Sequence, residues 1–161
     1  MVARSTWLRP ETGRAQPRVF SQAPRGGRTR LGQETPVARI PTPILIVDDD
    51  AESARLLARL LRKWGFCTVR SAHSAAAALA LAVAFSPRIV LLDIELPDMS
   101  GYELARLLHQ HPLLQDVRLI ALTDSGEHPA RERARVAGFE RYLVKPITTT
   151  ALREILSVSV H

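Results

Sequence analysis

The chain has 161 residues, 46% of them hydrophobic and 24% charged, which is enough for one core-bearing domain and a tail. Its longest apolar run falls far short of the ~18 residues that a membrane-spanning helix needs. A single cysteine, Cys67, excludes an internal disulfide and fits a reducing, cytoplasmic setting. The formal charge of +6 is uneven: residues 1–40 hold eight arginines against Glu11 and Glu34, and the remainder is neutral, with 14 basic and 14 acidic residues.

Residues 1–41 carry Pro10, Pro17, Pro24, Pro36 and Pro41 with Gly13, Gly26, Gly27 and Gly32, and show no helical or strand period. Such a segment cannot bury enough apolar surface to order itself, so a disordered Arg/Pro-rich tail is expected over 1–41. A passive leader is the first reading of it. A basic arm for nucleic acid or acidic partners and an organelle transit peptide are the rivals. A secretory signal is excluded, because no apolar stretch of the required length follows the first basic residues.

The domain is expected over 42–161. Ile44–Val47 reads as a short buried strand that runs into Asp48, Asp49 and Asp50. The next stretch, AESARLLARLLRKWG, places Leu56, Leu57, Leu60, Leu61 and Trp64 on one helical face, with Asp50 as its cap and Gly65 as its stop. Phe66–Arg70 is read as a second strand, with Cys67 as a small buried residue within it. Ser74 opens an Ala-rich helix that continues through Phe85 and ends at Ser86-Pro87. Four branched apolar residues, Ile89 to Leu92, then lead into Asp93, the habit of a strand buried on both faces. A helix from about Gly101 to Gln110, a strand Arg118–Leu122, a helix Pro129–Ala137 stopped by Gly138, and a strand Arg141–Val144 follow. Thr148 is placed to cap a last helix that uses Leu152, Ile155 and Leu156. Strands alternating with helices imply right-handed crossovers and a parallel sheet covered on both faces.

Four of the five strands end in a polar residue: Asp48 and Asp49, Asp93, Thr123, and Lys145. In a parallel sheet these ends share one edge, the edge at which open α/β folds place their binding crevice. Several carboxylates held close together either protonate or hold a hard divalent cation, and Mg²⁺ suits a site that must keep room for a phosphoryl group. One carboxylate can act as nucleophile, while a lysine and a hydroxyl steady phosphoryl oxygens.

With ILIVDD at the first strand, LLDIELPDMSG at the third, LIALT at the fourth and YLVKPI at the fifth, the chain resembles the receiver domain of two-component response regulators over residues 43–160. The spacings, 30 residues from Asp93 to Thr123 and 22 from Thr123 to Lys145, are those of a receiver without insertions. The resemblance implies a flavodoxin-like (βα)5 sandwich with strand order 2-1-3-4-5, a doubly wound fold that receivers share. It further implies Asp93 as phosphoacceptor, and Asp48, Asp49, Asp93 and the Glu95 backbone carbonyl around Mg²⁺. Thr123 and Lys145 would bind phosphoryl oxygens, and Tyr142 would move with Thr123. Lys145-Pro146 is often a cis peptide in the family. The implied partners are a histidine kinase or histidine phosphotransfer protein upstream and an unidentified protein downstream, with signalling through the face of the fourth helix, fifth strand and fifth helix. On this reading the chain is a bacterial phosphoprotein and not an enzyme.

Two residues depart from the usual pattern or vary within it. The family usually has a small residue after the threonine, where this chain has Asp124, a carboxylate expected to slow phosphorylation or weaken the switch. Glu95, two residues past Asp93, is placed to influence water attack on a phosphoaspartate. The exposed face near the fifth strand carries Arg131, Arg133, Arg135, Arg141 and Arg153 against Glu132, Glu140 and Glu154, read as a solvated face or as a docking face for an acidic partner. No output module is expected, so a stand-alone receiver is the leading reading. The receiver part of a hybrid kinase, a DNA-associated regulator using the basic tail, and a haloacid-dehalogenase-type phosphatase are the rivals.

Overall fold

The computed structural model describes residues 39–157; most of the expected tail, residues 1–38, and residues 158–161 lie outside the described residues. Strand and helix alternate throughout: β1 Ile44–Val47, α1 Ala51–Lys63, β2 Val69–Ala72, α2 Ala75–Phe85, β3 Ile89–Asp93, α3 Gly101–Gln110, β4 Arg118–Thr123, α4 His128–Ala137, β5 Arg141–Val144 and α5 Thr149–Ser157. All neighbouring strands pair in parallel, in the expected order β2-β1-β3-β4-β5. Parallel pairs need long crossovers, and the helices supply them.

Alternate strand residues face opposite layers. Leu45, Val47, Val90, Leu92, Leu119 and Ala121 pack with α2, α3 and α4, whereas Ile44, Ile46, Ile89, Leu91, Ile120 and Leu122 pack with α1 and α5. β1 and β3 are buried along their whole length. Burial of each large aliphatic side chain is worth about 1.5–3 kcal/mol, so these strands form the fixed part of the molecule. The helix starts follow from local chemistry. Asp50 accepts from the Glu52 amide, Ser74 from the Ala77 amide, and Thr148 Oγ1 from the Ala151 amide. Ser100 and Glu103 form a reciprocal capping box at α3. Gly138, at φ +96°, closes α4 in the left-handed conformation, where a Cβ would also strike the His109 ring.

Three expectations are corrected. Leu56 is 59% exposed, and α1 instead buries Ala54, Ala58 and Leu61, with Leu57, Leu60 and Trp64 on the flanks. The small alanines, four residues apart, let the helix approach the sheet closely, and Leu56 falls on the far side. β2 starts at Val69, not Phe66, because its register matches Val69 to Ile44 and Ala72 to Val47. Phe66 only bridges to Ile40. Cys67 is consequently exposed in the approach to β2, its thiol 3.4 Å from the Ile40 carbonyl.

Candidate functional site

The register brings the polar strand ends together. Val47 pairs with Leu92, Asp93 with Leu122, and Thr123 with Val144, so Asp48, Asp93, Thr123 and Lys145 emerge at one edge. Asp48, Asp93 and Thr123 are the buried polar or charged residues among those described, while Asp49 and Asp124 are exposed. One carboxylate oxygen from each of Asp48, Asp49 and Asp93 lies within 4.8 Å of the others. Lys145 Nζ sits 2.6 Å from Asp93 Oδ2 and 3.6 Å from Asp48 Oδ2.

The electrostatics are unbalanced. Burial raises the Asp48 carboxyl above its ordinary pKa; the Asp50 amide and the Lys145 charge pull it back, and Asp93 and Asp49 push it further up. Burial alone would lower the Lys145 ammonium, but its hydrogen bond to Asp93 and the charges of Asp93, Asp48 and Asp124 leave it raised. One lysine therefore faces three clustered acids. An all-oxygen donor set this compact suits a hard divalent cation such as Mg²⁺, which would also relieve the repulsion that Lys145 leaves.

Local backbone geometry fixes the central acid. Asp93 Oδ1 accepts from the Glu95 amide at 3.0 Å, and Gly101 donates to the Ile94 carbonyl at 2.8 Å, drawing the loop 94–100 tight. A Cβ on Gly101 would come within 2.7 Å of Ile94 Cα and would strike the Asp93 carbonyl, so glycine is required by close approach alone. The Lys145-Pro146 peptide is cis, as the family resemblance implied.

Thr123 and Tyr142 meet at one acceptor. Thr123 Oγ1 accepts from the Ser125 amide at 3.2 Å and lies 3.5 Å from the Ser125 carbonyl, to which the Tyr142 hydroxyl also donates weakly at 3.4 Å. The Arg131 guanidinium lies over the Tyr142 ring, 5.1 Å from its centroid.

Sequence reasoning missed two residues around the site. Asp98 accepts from the Ala75 and Ala76 amides at 2.8 and 2.9 Å, tying the loop after β3 to the start of α2, and these bonds hold its carboxyl below the ordinary range. His73 Nδ1 lies 2.8 Å from the Asp48 carbonyl. Neither contact leaves a local signal, since their partners are 23 and 25 residues away. His109 and His111 do not converge: the first contacts the Val117 carbonyl, and the second accepts from the Leu113 amide.

The family model for the response regulator receiver domain matches residues 44–157. The chain belongs to that family. It is 32% identical over 117 residues to the polar-differentiation response regulator DivK of Brucella anthropi, covering 73% of this chain and 94% of the relative. DivK of Brucella ovis is 33% identical over 113 residues, 70% of this chain and 91% of its own. Among solved structures, a putative response regulator from Chloroflexus aurantiacus is 34% identical with a TM-score of 0.66, covering 73% of this chain and 99% of that one. Chemotaxis protein CheY4 of Vibrio cholerae shares the fold at 22% identity, with a TM-score of 0.70 over 76% of this chain and 100% of its own. The chain thus carries the receiver domain of a two-component response regulator, a signalling domain, and no described helix is long and apolar enough to cross a membrane.

Proposed function

We propose that this receiver accepts a phosphoryl group on Asp93 from a phosphohistidine of a histidine kinase or histidine phosphotransfer protein. The observation that carries the reading is Lys145 Nζ at 2.6 Å from a buried Asp93 that shares a three-carboxylate cluster at the end of a central strand. Asp48, Asp49, Asp93 and the Glu95 carbonyl would hold Mg²⁺, which supplies charge neutralisation between the acid and the incoming phosphoryl oxygens. An Asp93 carboxylate oxygen attacks phosphorus, the P–N bond to the donor imidazole breaks, and an acyl phosphate forms.

Lys145 then exchanges its contact with the carboxylate for one with a phosphoryl oxygen. The new group adds roughly −1.5 to −2 charge and three acceptor oxygens. The Thr123 hydroxyl, held only weakly at Ser125, turns toward those oxygens, and Tyr142, which shares the Ser125 carbonyl, follows it inward. The α4–β5–α5 face is the output surface on this reading. A single-domain response regulator is favoured by the DivK relatives, 91–94% of whose length the match covers. On this reading the receiver proper occupies 42–161 and residues 1–41 precede it, with Ile40 bridging to Phe66 at the junction.

The test is transfer of labelled phosphoryl from a phosphorylated histidine phosphotransfer protein in Mg²⁺. Label should move to this chain and not to its Asp93→Asn variant. Equal labelling of both would reject Asp93 as the acceptor.

A further inference from the structure

The loop after β3 carries one of the proposed cation ligands, the Glu95 carbonyl, and its two ends are held locally. At the start, the Glu95 amide donates to Asp93 Oδ1 and the Gly101 amide to the Ile94 carbonyl. At the finish, Ser100 pairs across to Glu95 and is fixed by the capping box of α3. Among the described residues, the hydrogen bonds that tie residues 96–99 to another element are those of Asp98 alone. Its two carboxylate oxygens accept from the Ala75 and Ala76 amides, at 2.8 and 2.9 Å.

The start of α2 is built to receive that carboxylate. Ser74 caps the Ala77 amide, and no acid of the helix's own stands in its first turn. Asp98 therefore supplies both the acceptor for the two remaining amides and the counter-charge for the positive end of the helix. The junction it grips is itself anchored to β1. Ala75 is fully buried, the Asp48 amide donates to the Ala72 carbonyl at 3.1 Å, and His73 Nδ1 lies 2.8 Å from the Asp48 carbonyl. A carbonyl only accepts, so Nδ1 carries the proton in that contact. Through α2, the loop with Glu95 is thus held in register with the strand end that carries Asp48 and Asp49.

We propose that Asp98 is a positioning residue of the cation site, which sets Mg²⁺ affinity by fixing the Glu95 carbonyl relative to Asp48 and Asp49. The proposal deepens the Mg²⁺ reading of the acid cluster and rests on it. Asp98 is not one of the three acids whose oxygens converge, and both of its own oxygens are taken by amides. Its effect is on geometry, and Mg²⁺ is sensitive to geometry because it demands a near-ideal octahedron of oxygens. Groups that hold a metal ligand in place without touching the metal change affinity by roughly 10–100-fold.

The experiment is an amide-resolved NMR titration of the full, unphosphorylated chain with MgCl₂ and no phosphodonor. The parent is compared with Asp98→Ala, Asp98→Asn and Asp98→Glu. Before Mg²⁺ is added, the Ala75 and Ala76 amide hydrogens should exchange about tenfold faster in Asp98→Ala than in the parent. Asp98 is exposed, so thermal stability should change little. Mg²⁺ should then bind Asp98→Ala about tenfold more weakly, with the shifts still at Asp48, Asp49 and Asp93. Asparagine keeps one acceptor and no charge, and should fall between the parent and Asp98→Ala; should Asp98→Ala fail to fold, Asp98→Asn carries the comparison. Glutamate keeps the charge on a longer stem, and should bind Mg²⁺ more weakly than the parent. Equal Mg²⁺ affinity in the parent and Asp98→Ala would overturn the proposal. So would Asp98→Asn matching Asp98→Ala while Asp98→Glu matches the parent, since charge alone would then account for the effect. Both outcomes leave the cation site standing. A parent without Mg²⁺ shifts at Asp48, Asp49 or Asp93 would instead sink the cation reading, and this proposal with it.

Discussion

At the scale of single residues, the chemistry turns on how Lys145 is shared. It is the counter-charge of a buried acid now, and the phosphoryl clamp proposed for it requires that same ammonium to move by a small distance. Its raised pKa gives a stability signature. A group raised in the folded state contributes fully below its ordinary value of 10.5, and that contribution is lost as the pH rises through the raised value. Urea unfolding at increasing alkaline pH should therefore show a steeper loss of stability above about 10.5 in the parent than in Lys145→Met. Parallel slopes would show that the contact adds nothing to folding. Asp124 is the second residue of consequence. It is exposed, immediately follows Thr123 and lies near enough to Lys145 to support its charge. A carboxylate there repels an approaching phosphoryl donor, so Asp124→Ala should be phosphorylated by acetyl phosphate several-fold faster, an effect of about 1 kcal/mol. Equal rates would mean that solvent screens it completely.

At the scale of elements, α1 is the informative case. Counting apolar residues on a helical wheel points to the leucines, yet the helix seats on Ala54 and Ala58 and leaves Leu56 in water. Sequence periodicity cannot tell a wide apolar face from a narrow one built on small residues, because the depth at which a helix packs is set by the sheet beneath it. The exposed leucine lines a cleft with Ser53, Leu57, Pro146 and Ile147, and that cleft also reaches Asp48 and Lys145. On the proposed function, a phosphohistidine protein reaching Asp93 would pass this cleft. Leu56→Glu should slow transfer from a phosphohistidine protein about tenfold while leaving acetyl phosphate labelling and thermal stability unchanged. A matching loss with both donors would place the effect in the acid cluster instead. The start of β2 departs from the sequence pattern for a related reason. Phe66 and Cys67 have strand-like side chains, but pairing is decided by register against β1, and Ser71 and Ala72, poor strand formers, are among the residues that pair.

At the scale of the whole molecule, much of the fold was legible because four of the five strands are short, mainly apolar runs closed by a polar residue, and the alternation with capped helices leaves few topologies. β3, α3 and β5 fall where the pattern of residues 89–93, 101–110 and 141–144 puts them. The cluster of Asp48, Asp49, Asp93, Thr123 and Lys145 was legible for the same reason, since parallel strands bring their carboxyl ends to one edge. The long-range hydrogen bonds of Asp98 and His73 were not, because they depend on loop paths that no local pattern encodes. The domain also holds an imbalance that a bound cation would remove, three clustered acids against one lysine. Mg²⁺ should accordingly stabilise the folded chain by about 2.7 kcal/mol at a concentration roughly 100 times its dissociation constant. Thermal unfolding with and without Mg²⁺ would show this as a rise in Tm that Asp49→Ala largely abolishes. A rise undiminished in Asp49→Ala would place the cation elsewhere.

The most direct test of the central claim is chemical mapping of the phosphorylated residue. After incubation with Mg²⁺ and acetyl phosphate, borohydride reduces an aspartyl phosphate to homoserine, and peptide mass spectrometry locates it. Homoserine is expected at position 93 in the parent and not in Asp93→Asn. Reduction at Asp48 or Asp49, or an unmodified Asp93 beside a labelled chain, would contradict it.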